Sequence, residues 1–192
     1  VMDDPGAAWN RAEDLAKEAL KTDPNYAAGY ALISRIYDSK RNFGAAIENA
    51  EIATKLAPSN AGMHSIAGMV YRNSMRPDDA INSFLLAKRI NPRHHGWYSV
   101  SLAEAYRMTG DNEKAVAEIG IAVERGVSGY IATYGYLTLT AAYDALGRTK
   151  EAQEAYDTAF AAYPSISAKF LSGFFQFSDK THTENWISVV RK

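Results

Sequence analysis

The sequence predicts an all-α solenoid of stacked helix pairs, and three columns of residues carry that prediction. Alanine recurs at Ala12, Ala46, Ala80, Ala115 and Ala152, and again seven residues later at Ala19, Ala53, Ala87, Ala122 and Ala159. Five residues beyond each second alanine stand Pro24, Pro58, Pro92, Val127 and Pro164. Tyr37, Tyr71, Tyr106 and Tyr143 each lie nine residues before an alanine of the first set. The alanine and proline columns advance in steps of 34, 34, 35 and 37 residues, and the tyrosines follow the last three of these steps. A period of roughly 20–50 residues marks a repeat architecture, in which neighbouring units bury a continuous core between them.

Each unit reads as two helices, A then B. The first is half present: Ala12, Leu15, Ala16, Ala19 and Leu20 form a helix B stripe over 1–26, with no full helix A before it. The second unit, 27–60, has helix A over 27–40, a break at Asn42-Phe43-Gly44, and helix B over 45–56 before Pro58. The third, 61–94, has helices over 61–74 and 78–90; Pro77 suits a first helical turn, where its missing N–H would be unpaired anyway. The fourth, 95–128, has helices over 96–109 and 112–125, and the fifth, 129–164, over 129–146 and 149–162. Gly110 and Gly147 share a column that suits a left-handed C-terminal cap. Alanine and small residues at Ser34, Gly68 and Ala103 allow the paired helices to cross closely, where larger side chains would overpack. The stretch 125–129 is a Gly-rich joint, and 165–192 abandons the pattern, with helix candidates over 167–177 and 184–191 that suit a C-terminal cap on the open end.

Composition narrows the function. Lys and Arg number 21 against 22 Asp and Glu, so no net field favours nucleic acid or an anionic membrane. There is no cysteine, which excludes disulfides and thiolate metal sites and fits a reducing, cytoplasmic setting. No apolar run approaches the roughly 18 residues of a membrane span. Phosphate loops, dinucleotide fingerprints and metalloprotease motifs are missing, so no enzyme, cofactor or metal site is expected. His94-His95 reads as a solvated turn, and Lys88, Arg89 and Arg93 as a small basic cluster beside Trp97 and Tyr98.

The run His64-Ala67-Gly68-Tyr71-Ala80-Phe84-Pro92, echoed by Ser99-Leu102-Ala103-Tyr106-Ala115-Ile119, resembles the tetratricopeptide repeat over residues 10–164. The resemblance implies a right-handed α-α superhelix of about four and a half helix pairs. It also makes the tyrosine column a packing position. A narrower likeness lies in Arg76-Pro77-Asp78-Asp79-Ala80-Ile81, Ile90-Asn91-Pro92-Arg93-His94-His95-Gly96-Trp97-Tyr98 and the closing Trp186-Ile187-Ser188-Val189-Val190-Arg191-Lys192. These runs resemble the tetratricopeptide region C-terminal to bacterial class III adenylate or guanylate cyclases; similar regions follow winged-helix regulators. That likeness, the half unit and a start at Val1 without methionine imply a piece of a longer signalling protein.

In this family the A helices line a concave surface. Carried over by position, that surface presents Arg35 and Asp38 from the second unit, then Met69, Arg72 and Asn73 from the third. The fourth contributes Trp97, Glu104 and Arg107 with Val100, and the fifth Tyr134 and Leu137 with Asp144. Aromatic and Arg anchors at regular intervals suit an extended protein or peptide partner. The open first unit further implies a surface for homo-oligomerisation. The resemblance stops short of the Lys/Asn clamp that holds a terminal carboxylate in some repeats, because Arg35, Met69 and Arg72 do not reproduce it.

Overall fold

A computed structural model describes residues 5–162, with Asp179 and Glu184 besides. Among the described residues there are nine α-helices and no strand: α1 (Pro5–Thr22), α2 (Ala27–Ser39), α3 (Phe43–Leu56), α4 (Ala61–Asn73), α5 (Pro77–Ile90), α6 (Gly96–Met108), α7 (Asn112–Glu124), α8 (Gly129–Ala145) and α9 (Thr149–Ala162). The pairs α2–α3, α4–α5, α6–α7 and α8–α9 pack as hairpins, and each second helix also packs on the first helix of the following pair. The closing helices expected within 165–192 lie outside the described residues.

The alanine columns form the seam of this stack. Ala46, Ala80, Ala115, Ala53, Ala87, Ala122 and Ala159 are all at most 1% exposed. Their small side chains admit close partners: the Ser34 hydroxyl donates to the Ala46 carbonyl at 2.7 Å, and Phe84 is fully buried against Gly68. A Cβ on Gly68 would meet the Phe84 ring at 2.9 Å, so this crossing requires glycine. Helix α1 joins the stack through Glu13, whose carboxylate takes Lys17 Nζ at 2.6 Å and Lys40 Nζ at 2.7 Å across the α1–α2 boundary. Those two ammonium hydrogen bonds hold the Glu13 carboxyl down to about 2.

The tyrosine column has a backbone role as well as a packing one. The carbonyls of Tyr37, Tyr71, Tyr106 and Tyr143 accept the N–H groups of Asn42, Arg76, Asp111 and Arg148 at 2.8–2.9 Å. Together with N–H donation from Arg41, Met75, Gly110 and Gly147 to the carbonyls of Asp38, Arg72, Arg107 and Asp144, each A helix closes in a Schellman motif. The cap residue is left-handed in every case: φ is 58° at Arg41, 59° at Met75, 85° at Gly110 and 71° at Gly147. The turn expected at Asn42-Phe43-Gly44 is therefore made by Arg41, while Asn42 caps α3 and Gly44 lies inside it. A guanidinium then covers two of the tyrosine rings, Arg76 over Tyr71 at 4.8 Å and Arg148 over Tyr143 at 4.5 Å.

The period is broken twice, by a longer α5–α6 connection and by a longer α8. The α5–α6 connection holds one residue more than α3–α4, and His94 fills the added space. His94 is 3% exposed and stacks on Tyr98 at 5.5 Å, so the solvated turn expected at His94-His95 holds for His95 alone. Burial, aided by the Arg125 and Lys88 cations, pushes the His94 imidazole below its usual value. Arg125 donates to the carbonyls of His94 and Pro92 at 3.0 and 2.8 Å, and Lys88 Nζ donates to Glu118 Oε1 at 2.7 Å. The basic cluster read around Lys88 is thus partly spent on structure. Near Gly126, α7 ends in a Schellman motif of its own, with φ at 71° and the Val127 N–H bonded to the Ala122 carbonyl. Helix α8 is longer than the earlier A helices, 17 residues against 13.

Candidate functional site

The A helices α2, α4, α6 and α8 lie side by side, so residues one repeat apart face each other on the concave side. Two cavities open there. One, of about 320 Å³, is lined by Trp9 of α1, Ala28, Ala31, Leu32 and Arg35 of α2, and Met63 and Ile66 of α4. The other, of about 360 Å³, is lined by Arg35, by Met69 and Arg72 of α4, by Trp97, Val100 and Ser101 of α6, and by Tyr130, Ile131 and Tyr134 of α8. Arg35 lines both, so the two cavities adjoin at its side chain on the concave face. The second cavity sits where α4 and α6 diverge; these two touch least of the neighbouring A helices, and the added residue of the α5–α6 connection lies just before Trp97. Trp97 stands edge-on to Phe84 at 6.4 Å and to Tyr98 at 4.4 Å, which fixes its ring in the wall.

Five of the residues expected on the groove, Arg35, Met69, Arg72, Trp97 and Tyr134, are brought together around this second cavity. The other five are placed differently. Asp38, Asn73, Glu104 and Leu137 are buried, as is Arg72 itself, and Arg107 is half-buried. Their polar groups bond to one another across repeats: Asn73 Nδ2 donates to Asp38 Oδ2 at 2.8 Å, and Arg72 donates to Asn73 Oδ1 at 3.0 Å and to Ser101 Oγ at 3.2 Å. Glu104 accepts two bonds from Arg107, at 2.7 and 3.0 Å, and one from Thr138 at 3.4 Å. The expectation that all ten are displayed to a ligand is corrected for these: a polar side chain on one A helix finds its neighbour at the same height on the next. Leu137 is fully buried in the core. Asp144, also expected on this face, is exposed at the end of α8.

Burial dominates the electrostatics of this ladder. It pushes the Asp38 carboxyl up to about 6, against the Asn73 hydrogen bond and the Arg72 and Arg35 charges, which work downward. Burial likewise raises the Tyr134 phenol, so its hydroxyl stays neutral at any physiological pH. The Arg72 guanidinium stands over the Tyr134 ring at 5.8 Å. Among the described residues no cluster of His, Cys, Asp and Glu could hold a metal ion.

Trp9, Leu32, Met63, Ile66, Ser101, Tyr130 and Ile131 line the groove without having been singled out as its residues. Their signal was present in part: Ala28, Ala31, Leu32 and Arg35 make one helical face, and Leu32, Ile66 and Ser101 stand at a constant five residues before the tyrosine column. Trp9 had no such signal, because it lies on α1, outside any complete pair.

The fold and its groove can be set beside known proteins. Residues 32–95 match the family model of the tetratricopeptide repeat. No curated protein matches the chain significantly in sequence. Among solved structures, MamA is 19% identical over 85% of this chain and 97% of its own, with a TM-score of 0.69. PilW, described as a widely conserved type IV pilus biogenesis factor, is 15% identical over 95% of this chain and 83% of its own, at 0.76. YrrB, described as a tetratricopeptide repeat protein with an unusual peptide-binding site, is 18% identical over 83% of this chain and 80% of its own, at 0.66. Identities this low establish the fold alone. The expected right-handed solenoid of paired helices is that fold.

Proposed function

We propose that the chain is a non-catalytic protein-interaction module that holds an extended peptide segment of a partner along the groove running from Trp9 to Tyr130. The observation that carries this reading is the adjacency of the two cavities at Arg35, with the exposed apolar side chains Trp9, Leu32 and Tyr130 on their walls. Exposed large hydrophobic residues gathered in a concave channel favour binding. The titratable groups nearby favour binding over chemistry, since Glu104 is held by Arg107 and Tyr134 is a buried neutral phenol. The peptide-binding site stated for YrrB, a protein of the same fold, supports peptide binding as the kind of function.

The repeat units 27–60, 61–94, 95–128 and 129–164, with a half unit before them and a cap after, are the frame of this proposal. The resemblance of Arg76–Ile81 and of 90–98 to the region following bacterial nucleotide cyclases supports a finer reading, in which the module regulates or dimerises a cytoplasmic signalling enzyme. A stand-alone scaffold is the other form of the same function. Among the described residues no helix is long and apolar enough to cross a membrane.

The test is to pan a random-peptide display library against the protein and to titrate the enriched peptides while following tryptophan fluorescence. Leu32→Glu and Met69→Glu, on the walls of the two cavities, are expected to weaken binding at least tenfold. Peptides whose binding is indifferent to both substitutions would place the interaction elsewhere and overturn the proposal.

A further inference from the structure

Deepening the reading above, on which it rests, we propose that the groove selects peptides with an internal acidic side chain about three residues from a bulky apolar one. The acid would lie at Arg35 and Arg72, and the apolar residue against Leu32, Met63 and Trp9.

Charge and chemistry divide the groove into two stations. The smaller cavity is apolar apart from Arg35 at its edge. The larger holds two guanidiniums, Arg35 and Arg72, and no carboxylate among its described lining residues. The acids carried by these helix faces are buried, Asp38 bonded to Asn73 and Glu104 to Arg107, and Asp38, with its carboxyl raised by burial, shares the field of Arg35 and Arg72. Arg35 is exposed, and among the described residues it forms no ion pair. An anionic group entering here meets the exposed Arg35 first, and behind it on the wall the buried Arg72 guanidinium, held by Asn73 and Ser101. A guanidinium fork on a carboxylate is a strong and geometrically specific contact. A lysine at the same place would be repelled, so the pocket discriminates as well as attracts.

Distance sets the spacing. Both stations lie on α2 and α4 and are displaced along them, Leu32 standing one turn before Arg35 and Met63 more than two turns before Arg72. At about 1.5 Å per helical residue the displacement is about 4.5–13.5 Å, and an extended chain advances about 3.3–3.6 Å per residue. The source of the carboxylate follows from the shape. The groove continues on both sides of Arg35, towards Trp9 in one direction and Tyr130 in the other. A peptide crossing it therefore passes through the cation pair instead of ending there, and an internal Asp or Glu supplies the charge.

The experiment uses the whole chain and two random-peptide libraries, one displayed with its C-terminus fused and one with a free terminal carboxylate. The fused library is expected to yield Asp or Glu about three residues from Leu, Ile, Met or an aromatic. In synthetic peptides amidated at the C-terminus, replacing that acid by its amide should weaken binding at least tenfold. Arg35→Glu, an exposed position that preserves the fold, should invert the preference towards a Lys-containing version of the same peptide. Arg35→Gln should only remove it, and circular dichroism checks that both variants fold. Groove-binding peptides without acid preference, or with a preference untouched by Arg35→Glu, overturn the inference while leaving the peptide-binding function standing. Enrichment from the free-carboxylate library alone overturns it in favour of a chain terminus. Displacement of the acidic peptide by oligothymidine as effective as by unlabelled peptide would assign the pocket to phosphate and overturn it also. If neither library yields groove-dependent binders, the underlying function fails with it.

Discussion

The two halves of the concave face occupy matching positions in the repeat and meet solvent very differently. Five residues before the tyrosine column stand Leu32, Ile66, Ser101 and Thr138, which are exposed, half-buried, buried and buried in turn. Two residues before it, Arg35 is exposed, Met69 half-buried, Glu104 fully buried and Ala141 half-buried. At these heights the face is open over α2 and largely closed from α6 onward, although Trp97 and Tyr130, nearer the start of α6 and α8, still wall the second cavity. Helix α8 packs on α6 much as α4 packs on α2, so the difference lies in the side chains: Ser101 and Glu104 meet Arg72, Arg107 and Thr138. Equal sequence position therefore gives equal backbone placement, while the neighbour on the next helix decides whether a side chain serves a ligand or the core.

The largest expected effect sets these halves against each other. Leu137→Ala should cost about 2–5 kcal/mol, since the side chain is fully buried and leaves a cavity. Leu32→Ala, at a residue 39% exposed, should cost under about 1 kcal/mol while weakening peptide binding. Chemical denaturation of both variants checks the difference, and equal costs would break the comparison. The next effect concerns the charge buried at the boundary. Asp38 has its carboxyl raised from 3.8 to about 6, so its ionised form is disfavoured in the folded state. The stabilising contribution is fully present below about pH 4 and is lost as pH rises through about 6. Between pH 7.5 and pH 4, wild type should gain roughly 2–3 kcal/mol relative to Asp38→Asn, which keeps an acceptor for Asn73. A stability difference independent of pH would show that Asp38 is solvated, and the ladder with it. Smaller again is Gly68→Ala. Alanine would gain helix propensity, but its Cβ would press on the immobile Phe84 ring, and a net loss of about 1–3 kcal/mol is expected by thermal melting.

Much of the architecture was legible because it repeats. The alanine and tyrosine columns encode close helix crossings, and every unit states them again, so a local ambiguity in one is settled by the others. The groove was legible in part for the same reason: helical periodicity placed Arg35, Met69, Trp97 and Tyr134 on one face. What it could not separate was display from burial. Asp38, Asn73 and Glu104 look like ligand anchors in any one helix, and only the adjacent helix, roughly 34 residues away in sequence, supplies the partner that absorbs them. His94 shows the same limit at a turn, where a polar residue became core because one added residue had to be filled.

The smallest effect tests the repeat at its caps. Arg41 and Gly110 hold the same Schellman position with φ of 58° and 85°, but only glycine adopts that conformation without crowding its Cβ. Met75 shares the position, yet its side chain packs on the core, so replacing it would confound backbone strain with lost burial. Arg41 is exposed and free of that complication. Arg41→Gly should stabilise the protein by about 1 kcal/mol, and Gly110→Ala should destabilise it by a similar amount. The greater entropy of an unfolded glycine chain offsets part of both effects, since it disfavours Arg41→Gly and favours Gly110→Ala. Thermal melts of the two variants and their combination measure both signs, and additivity is expected because the caps lie in different units and share no partner. A gain at Arg41 with no loss at Gly110 would mean that the caps of the open and closed halves are not equivalent, and that the closed half is held by α8 more than by its turns.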